Sequence, residues 1–251
     1  MTDLFLLSEA QMRRIEPFFP LSHGIPRVDD RRVISGIVFV IRNGLRWRDA
    51  PREYGPHKTV YNRFVRWSRL GVFNKIFAEL ARKAGKPRRL MIDATHLKAH
   101  RTAASLLKRV CSQTYRAHER RPELETARRV RWPRTAAVIM LLSEGQMSDY
   151  KGAALMLPAL PKAKELLGDK GYDANWFRKA LAERDITACI PSKSSRKKPI
   201  EHDRTLYRQR HKIENMFGKL KDWRRIHTRY DRCAHTFMSA ICIAAIVIFW
   251  L

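Results

Sequence analysis

Tyr207, Arg210, Glu214 and Lys221 stand three, four and seven residues apart in the string YRQRHKIENMFGKLK. On an α-helix these positions fall within about 60° of one another, so a phenol, a carboxylate and two cations share one narrow stripe. That combination suits a buried core poorly and suits the grip of a phosphate beside a bound cation well. A solvated ion pair explains Arg210 and Glu214 taken alone, but the four-residue string is much rarer by chance. Two more acids close short apolar runs, Asp93 after Leu90-Met91-Ile92 and Asp169 after Leu166-Leu167-Gly168. A buried strand that delivers a carboxylate at its C-terminal end reads in this way.

The elements that must position these groups follow from periodicity. Residues 1–87 read as a small all-helical region. Ser8 can cap a helix carrying Met12, Ile15 and Phe19, which Pro17 and Pro20 end. Asp29 or Asp30 can cap the next, with Val33, Ile37, Val40 and Ile41 at helical spacing. Val60, Phe64 and Trp67, then Phe73, Ile76, Phe77 and Leu80, form two apolar stripes broken at Gly71, as in a helix-turn-helix or in a plain helical bundle. Arg63, Arg66 and Arg69 are expected on the outer face, available to DNA phosphates. After the linker Lys86 to Arg89 the pattern predicts a strand to Asp93, a second strand over 137–142 and a helix over 152–167 that leads to Asp169. A helix over 175–184, a strand over 186–190, the basic loop SKSSRKKP and a long helix over 205–223 complete the chain, which shows no internal repeat.

Composition points the same way. The chain has 251 residues, enough for one large domain or two small ones. Its 51 Lys and Arg against 24 Asp and Glu leave a net charge of +27, which makes nucleic acid the natural partner without choosing an activity; a ribosomal or merely basic protein satisfies the same balance. Cys111, Cys189, Cys233 and Cys242 form no C-x-x-C pair, which fits a reducing cytoplasm. The N-terminus does not read as a signal peptide. The apolar run from Phe237 to Leu251 is shorter than the ~18–20 residues of a membrane span and reads as a buried core helix. Asp173 reads as the cap of the helix beginning near Asn175, Asp149 as a turn residue, and Trp223 and Trp250 as core. His96 and His100 are weak as a metal pair and stand as candidate DNA contacts.

The strings YRQRHKIENMFGKLKDWRRIHTRYDR, MIDATHLKAHRTA and LLGDKGYDANWF resemble bacterial insertion-sequence transposases of the DDE class, most closely the insertion-sequence-five family. The N-terminal part through LGVF is similar to the same family's amino-terminal region. The resemblance implies an α/β architecture: an RNase H-like mixed-sheet catalytic core over 88–251, preceded by the helical DNA-binding region 1–87. It implies catalytic and metal-binding roles for Asp93, Asp169 and Glu214, which would hold two Mg²⁺ (or Mn²⁺) ions. Tyr207, Arg210 and Lys221 would hold the phosphate backbone near the cut. The implied function is Mg-dependent DNA cleavage and strand transfer of the protein's own insertion element. Its partners would be the terminal inverted repeats and target DNA, with no membrane, bound by a homodimer in the bacterial cytoplasm at the nucleoid. Forty-five residues separate Asp169 from Glu214, too few for the large β-insertion that some relatives carry there.

One stretch departs from the family. Between Lys108 and Val138 the chain is arginine-rich and lacks glycine, where the family reads as a Gly- and Lys-rich β-hairpin. Allowed codons for Ser112 to Ala137, read one base later, spell PRRIGRTKGGLNSKLHAVCDGHGRPL, which resembles that hairpin. Residues 112–137 are therefore expected to be translated out of frame, and the sheet beside Asp93 to lack its ordinary edge pairing. This leaves a second function open, a catalytically defective transposase remnant that binds DNA without cutting it. A third, an RNA-binding ribosomal-type protein, does not account for the Tyr207 to Lys221 stripe.

Overall fold

The computed structural model describes residues 4–21, 28–83, 87–103, 128–132, 136–140, 142 and 148–251, with the backbone course alone at 128–132 and 136–140. Most of the 112–137 stretch therefore lies outside the described residues. Of the described residues, those within Met1–Phe77, Leu97–Tyr115 and Lys219–Leu251 form one compact unit and those within Ala78–His96 and Arg116–Gly218 a second. This partition does not follow a single boundary after residue 87. The C-terminal apolar segment packs with the N-terminal helices because both carry faces that need cover.

Helix α1 (Glu9–Ile15) starts at Ser8 with a reciprocal box: Gln11 N–H donates to Ser8 Oγ and Ser8 N–H to Gln11 Oε1. Asp29 caps α2 (Asp30–Asn43), and Gly44 ends it at φ 69° in the left-handed region that glycine tolerates. Helices α3 (His57–Arg69) and α4 (Val72–Lys83) are separated by Gly71, also left-handed. There follow β1 (Arg89–Met91), β2 (Lys98–Ala99), β3 (Arg128–Trp132), β4 (Ala136–Met140), α5 (Asp149–Met156), β5 (Glu165–Leu167), α6 (Asn175–Ala182) and β6 (Thr187–Cys189). The chain closes with α7 (Arg204–Tyr207), α8 (His211–Lys221), α9 (Arg224–His227), β7 (Thr228–Arg229) and α10 (Ala234–Phe249).

In the first unit α2 is buried from Val33 through Ile41, more than a single stripe, because α3, α9 and α10 all pack on it. Helix α10 is buried from Thr236 to Ile246, as a core helix should be. Among the described residues no helix is long and apolar enough to cross a membrane. Trp223 is buried; Trp250 is partly exposed and sets its edge against Phe77.

The second unit carries a five-stranded sheet in the order β3-β4-β1-β5-β6. β1 runs parallel to both β4 and β5, β5 is parallel to β6, and only β3 is antiparallel to its neighbour. Leu90, Ile92, Leu166 and Ile190 from the sheet side meet Met156, Phe177 and Leu181 in one buried cluster. Each such side chain contributes about 1.5–3 kcal/mol by leaving water. The unit is thus a mixed α/β layer with helices against a mostly parallel sheet.

Three expectations need correction. The helix expected over 152–167 occupies Asp149–Met156, passes through a 3₁₀ turn at Leu157–Ala159 and ends there, because Pro158 and Pro161 cannot continue a helical ladder. The long helix expected over 205–223 is interrupted by a 3₁₀ turn at Arg208–Arg210 and stops at Lys221. Asp149 is the first residue of α5 and not a turn residue. Beside β1 the backbone of β4 runs parallel and pairs Ala136 with Arg89 and Ala137 with Leu90.

Candidate active site

The register of two strands brings the first two acids together. Met91 of β1 lies opposite Leu167 of β5 in the parallel pairing, and each strand runs two residues further to its aspartate, Asp93 or Asp169. Both carboxylates therefore leave the same end of adjacent strands, where open α/β sheets collect ligands. The third acid arrives with the 3₁₀ turn and α8. A 3₁₀ turn advances about 120° per residue, so Tyr207 and Arg210 nearly eclipse, and Glu214 follows one helical turn later.

Arg210 ties the three acids together. Its Nη2 lies 3.0 Å from Asp93 Oδ1 and 4.0 Å from Asp169 Oδ2, while Nη1 donates to Glu214 Oε1 at 2.6 Å. The four side chains grade from inside to outside: Asp93 is 12% exposed, Arg210 16%, Asp169 34% and Glu214 56%. Ala94 N–H also donates to Asp93, and Gly171 N–H to Asp169 Oδ1. The Nε of Arg210 is buried with no acceptor among the described residues, so charge rather than complete hydrogen bonding holds the guanidinium there.

Burial pushes the Asp93 carboxyl up, and the Asp169 charge adds to this, against the opposing pull of Arg210 and of Ala94 N–H. Burial likewise raises the Tyr207 hydroxyl, so the phenol stays protonated and able to donate. Tyr172 is raised by burial and then by the charges of Asp149, Asp93 and Asp169, which places a fourth carboxylate in the neighbourhood. A Cβ added to Gly171 would stand 2.5 Å from Asp149 Oδ2 and 2.7 Å from Asp169 Oδ1, so the two oxygens flank the same point. Nothing in the sequence around Asp149 marks it for this position. Only the packing of α5 beside the Lys170–Tyr172 turn does so.

Hard oxygen donors on Asp93, Asp169 and Glu214 have the right chemistry for Mg²⁺ or Mn²⁺. Among the described residues, however, no three His, Cys, Asp or Glu side chains are gathered around one ion-sized point, because the guanidinium of Arg210 stands between the acids.

Asp173 does not cap α6, whose N-cap is Ala174. Its carboxylate is 1% exposed and accepts from Arg178 Nε, from Arg196 Nε and Nη2 and from the Lys193 backbone N–H. Its burial, which raises the pKa, is outweighed by these donors, Arg196 first, so the group sits at about 2. Of the three arginines expected on the outer face of α3, Arg66 and Arg69 are exposed; Arg63 is half-buried, pairs with Asp30 and lies over the Trp67 ring. Lys221 ends α8 and belongs to the first unit. His96 is exposed, and His100 stacks on Tyr230 at 4.8 Å.

Comparison with known proteins bears on both ends of the chain. The family described as "Putative transposase of IS4/5 family" matches residues 7–77, and the family described as "Transposase DDE domain" matches residues 166–251. Asp169 and Glu214 fall inside the second match; Asp93 and the arginine-rich stretch fall outside both. A Brucella ovis protein, "Putative transposase for insertion sequence element IS6501", is 33% identical over 108 residues, 43% of this chain and 82% of the relative. The "Uncharacterized protein y4sN" of Sinorhizobium fredii is 37% identical over 101 residues, 39% of this chain and 80% of the relative. A Burkholderia cepacia "Insertion element IS402 uncharacterized 16.2 kDa protein" is 32% identical over 83 residues, 32% of this chain and 56% of the relative. No solved structure matches the chain.

Proposed function

Because this chain belongs to the IS4/5 family of insertion-sequence transposases, we propose that it cuts DNA at the ends of its own insertion element and joins those ends to a target. The observation that carries the reading is the convergence of Asp93, Asp169 and Glu214 on the one guanidinium of Arg210. We assign the second unit an RNase H-like core in which these three acids hold two Mg²⁺ or Mn²⁺ ions. Such ions, when bound, supply the activation of water or of a 3′-hydroxyl and the neutralisation of a leaving oxygen.

The protein's own side chains do the rest. Arg210 transfers its guanidinium from the acids to a phosphodiester, for which its fork of donors is well shaped. Tyr207, kept protonated by burial, donates to a phosphate oxygen, and Lys221 adds a cation further along α8. Arg66 and Arg69 anchor the terminal inverted repeats to the helical unit. Two ends must be processed together, which calls for a homodimer on DNA, at the nucleoid of the bacterial cytoplasm.

The test is a strand-transfer assay on linear DNA carrying the element ends. Mg²⁺-dependent nicking and joined products are expected, and Asp93→Asn, Asp169→Asn or Glu214→Gln should each lower them by roughly 10³-fold or more while gel shifts persist. Products that form in a chelator, or that survive all three substitutions, sink the assignment. The arginine-rich stretch at 112–137 and the parallel approach of β4 to β1 favour a second reading, a remnant that binds DNA without cutting it. Such a remnant shifts DNA in the same assay and never nicks it.

A further inference from the structure

Three residues after Ile190, the loop Lys193-Ser194-Ser195-Arg196-Lys197-Lys198-Pro199 begins and brings four cations together. It is not a slack surface loop. Ser192 Oγ donates to Ile200 O at 3.1 Å and accepts from Ile200 N–H at 2.8 Å, which ties the base of the loop shut. Asp173 clamps the middle, accepting from Lys193 N–H and, through both carboxylate oxygens, from Arg196; Arg196 Nη1 also donates to Asn175. Lys193 Nζ is held 4.1 Å over the Tyr150 ring. Among the described residues no carboxylate pairs with Lys193, Lys197 or Lys198, and the last two are exposed.

The loop, Tyr150 and the start of α6 enclose an open groove of about 570 Å³. Its position is set by short covalent links. Tyr150 follows Asp149, whose Oδ2 shares the space beside Gly171 with Asp169, and Asp173 stands four residues after Asp169. A groove with its internal cation neutralised by Asp173 and its outer lysines unpaired is thus tied by one to four residues of chain to the acids at Asp149 and Asp169. A rigid display of lysines costs little entropy when it meets a polyanion, and the adjacent acids would repel that polyanion unless something held it there.

We propose that this groove binds the DNA phosphate backbone next to the cut, holding the flanking stretch of strand while Arg210 and Tyr207 hold the scissile phosphate. The proposal rests on the transposase reading and adds to it a second phosphate-binding surface, carried by Lys193, Lys197 and Lys198, beyond the Tyr207 to Lys221 stripe.

The full-length protein can be tested by fluorescence anisotropy with a labelled DNA duplex between about 50 and 200 mM salt. Lys197→Ala/Lys198→Ala is compared with Lys162→Ala/Lys164→Ala, an exposed pair that makes the same change in charge. The groove pair should bind about tenfold more weakly at the higher salt, with a log–log salt slope smaller by about 2, and the control pair should match the wild type. Melting temperatures of both variants should match the wild type, since all four lysines are exposed. Equal weakening in the two variants, or none in either while the wild type binds DNA, overturns the groove and leaves the transposase reading standing. A wild type that fails to bind DNA at all overturns that reading and the groove with it. A groove variant that loses affinity for duplex RNA but not for DNA assigns the surface to RNA and overturns the proposal as stated.

Discussion

Nη2 of Arg210 lies 3.0 Å from Oδ1 of Asp93, inside a cluster whose three acids would otherwise repel one another. The guanidinium is an internal counter-ion in the place where carboxylates of this kind would meet divalent cations. At about 4 Å and a near-surface effective dielectric, one unit charge is worth roughly 4 kcal/mol to a neighbour, so its removal must be felt. In Arg210→Gln, free of DNA, Mn²⁺ should bind at least about tenfold tighter than in the wild type, as read by calorimetric titration. Cutting should nonetheless fall, because the phosphate loses its partner. Unchanged or weaker Mn²⁺ binding would show that the guanidinium does not compete for the acids.

Asp173 gives the fold a pH dependence of definite sign. Its folded pKa of about 2 lies below the ordinary carboxylate value of 3.8, so its contribution is fully present above about pH 4 and is lost as pH falls toward 2. The difference corresponds to about 2 kcal/mol. Asp173→Asn should lower stability at pH 7 by about that amount or more, since Arg178 and Arg196 are left half-buried without their anion, and should flatten the acid limb between pH 4 and 2. Urea denaturation across that range measures both effects; a variant as acid-sensitive as the wild type would remove Asp173 from the account.

Gly171 is required by close approach and not by backbone conformation. A methyl group there meets Asp149 Oδ2 at 2.5 Å and Asp169 Oδ1 at 2.7 Å, so one carboxylate must move. Gly171→Ala is expected to fold, with a stability change of about 1 kcal/mol, but to lose most of its cutting while keeping DNA affinity. Thermal melts and the strand-transfer assay separate the two effects, and full activity in the variant would mean that Asp169 has room to spare.

The arginine-rich stretch makes a genetic prediction with a physical readout. The coding DNA for Ser112 to Ala137 should spell PRRIGRTKGGLNSKLHAVCDGHGRPL when read one base later. A chain rebuilt with that segment should unfold at a higher urea concentration, because a hairpin with turn glycines replaces a run of like charges, and should cut DNA at least as fast. Codons that do not encode the segment in the shifted frame would end the idea.

Much of this protein is local and therefore legible in its residues. Ser8 with Gln11, Asp29 before an apolar period and Gly44 or Gly71 after one fix helix ends through hydrogen bonds that span three or four residues. Apolar runs that end in Asp93 and Asp169 announce strands, and the Tyr207 to Lys221 spacing announces a helix face, for the same reason. Pro158 and Pro161 were equally legible as helix breakers against the run 152–167. What depends on contacts distant along the chain was not encoded in any such period. The pairing of Met91 with Leu167 that aligns the two aspartates, the turn that sets Asp149 beside Asp169, the network that takes Asp173 away from α6 and ties Arg196 to it, and the return of α10 to the N-terminal helices were settled only when the chain packed. Local hydrogen bonding and side-chain period choose the elements. Which carboxylate ends beside which cation depends on how buried surfaces and charges separated by tens of residues satisfy one another, and that is a property of the folded chain alone.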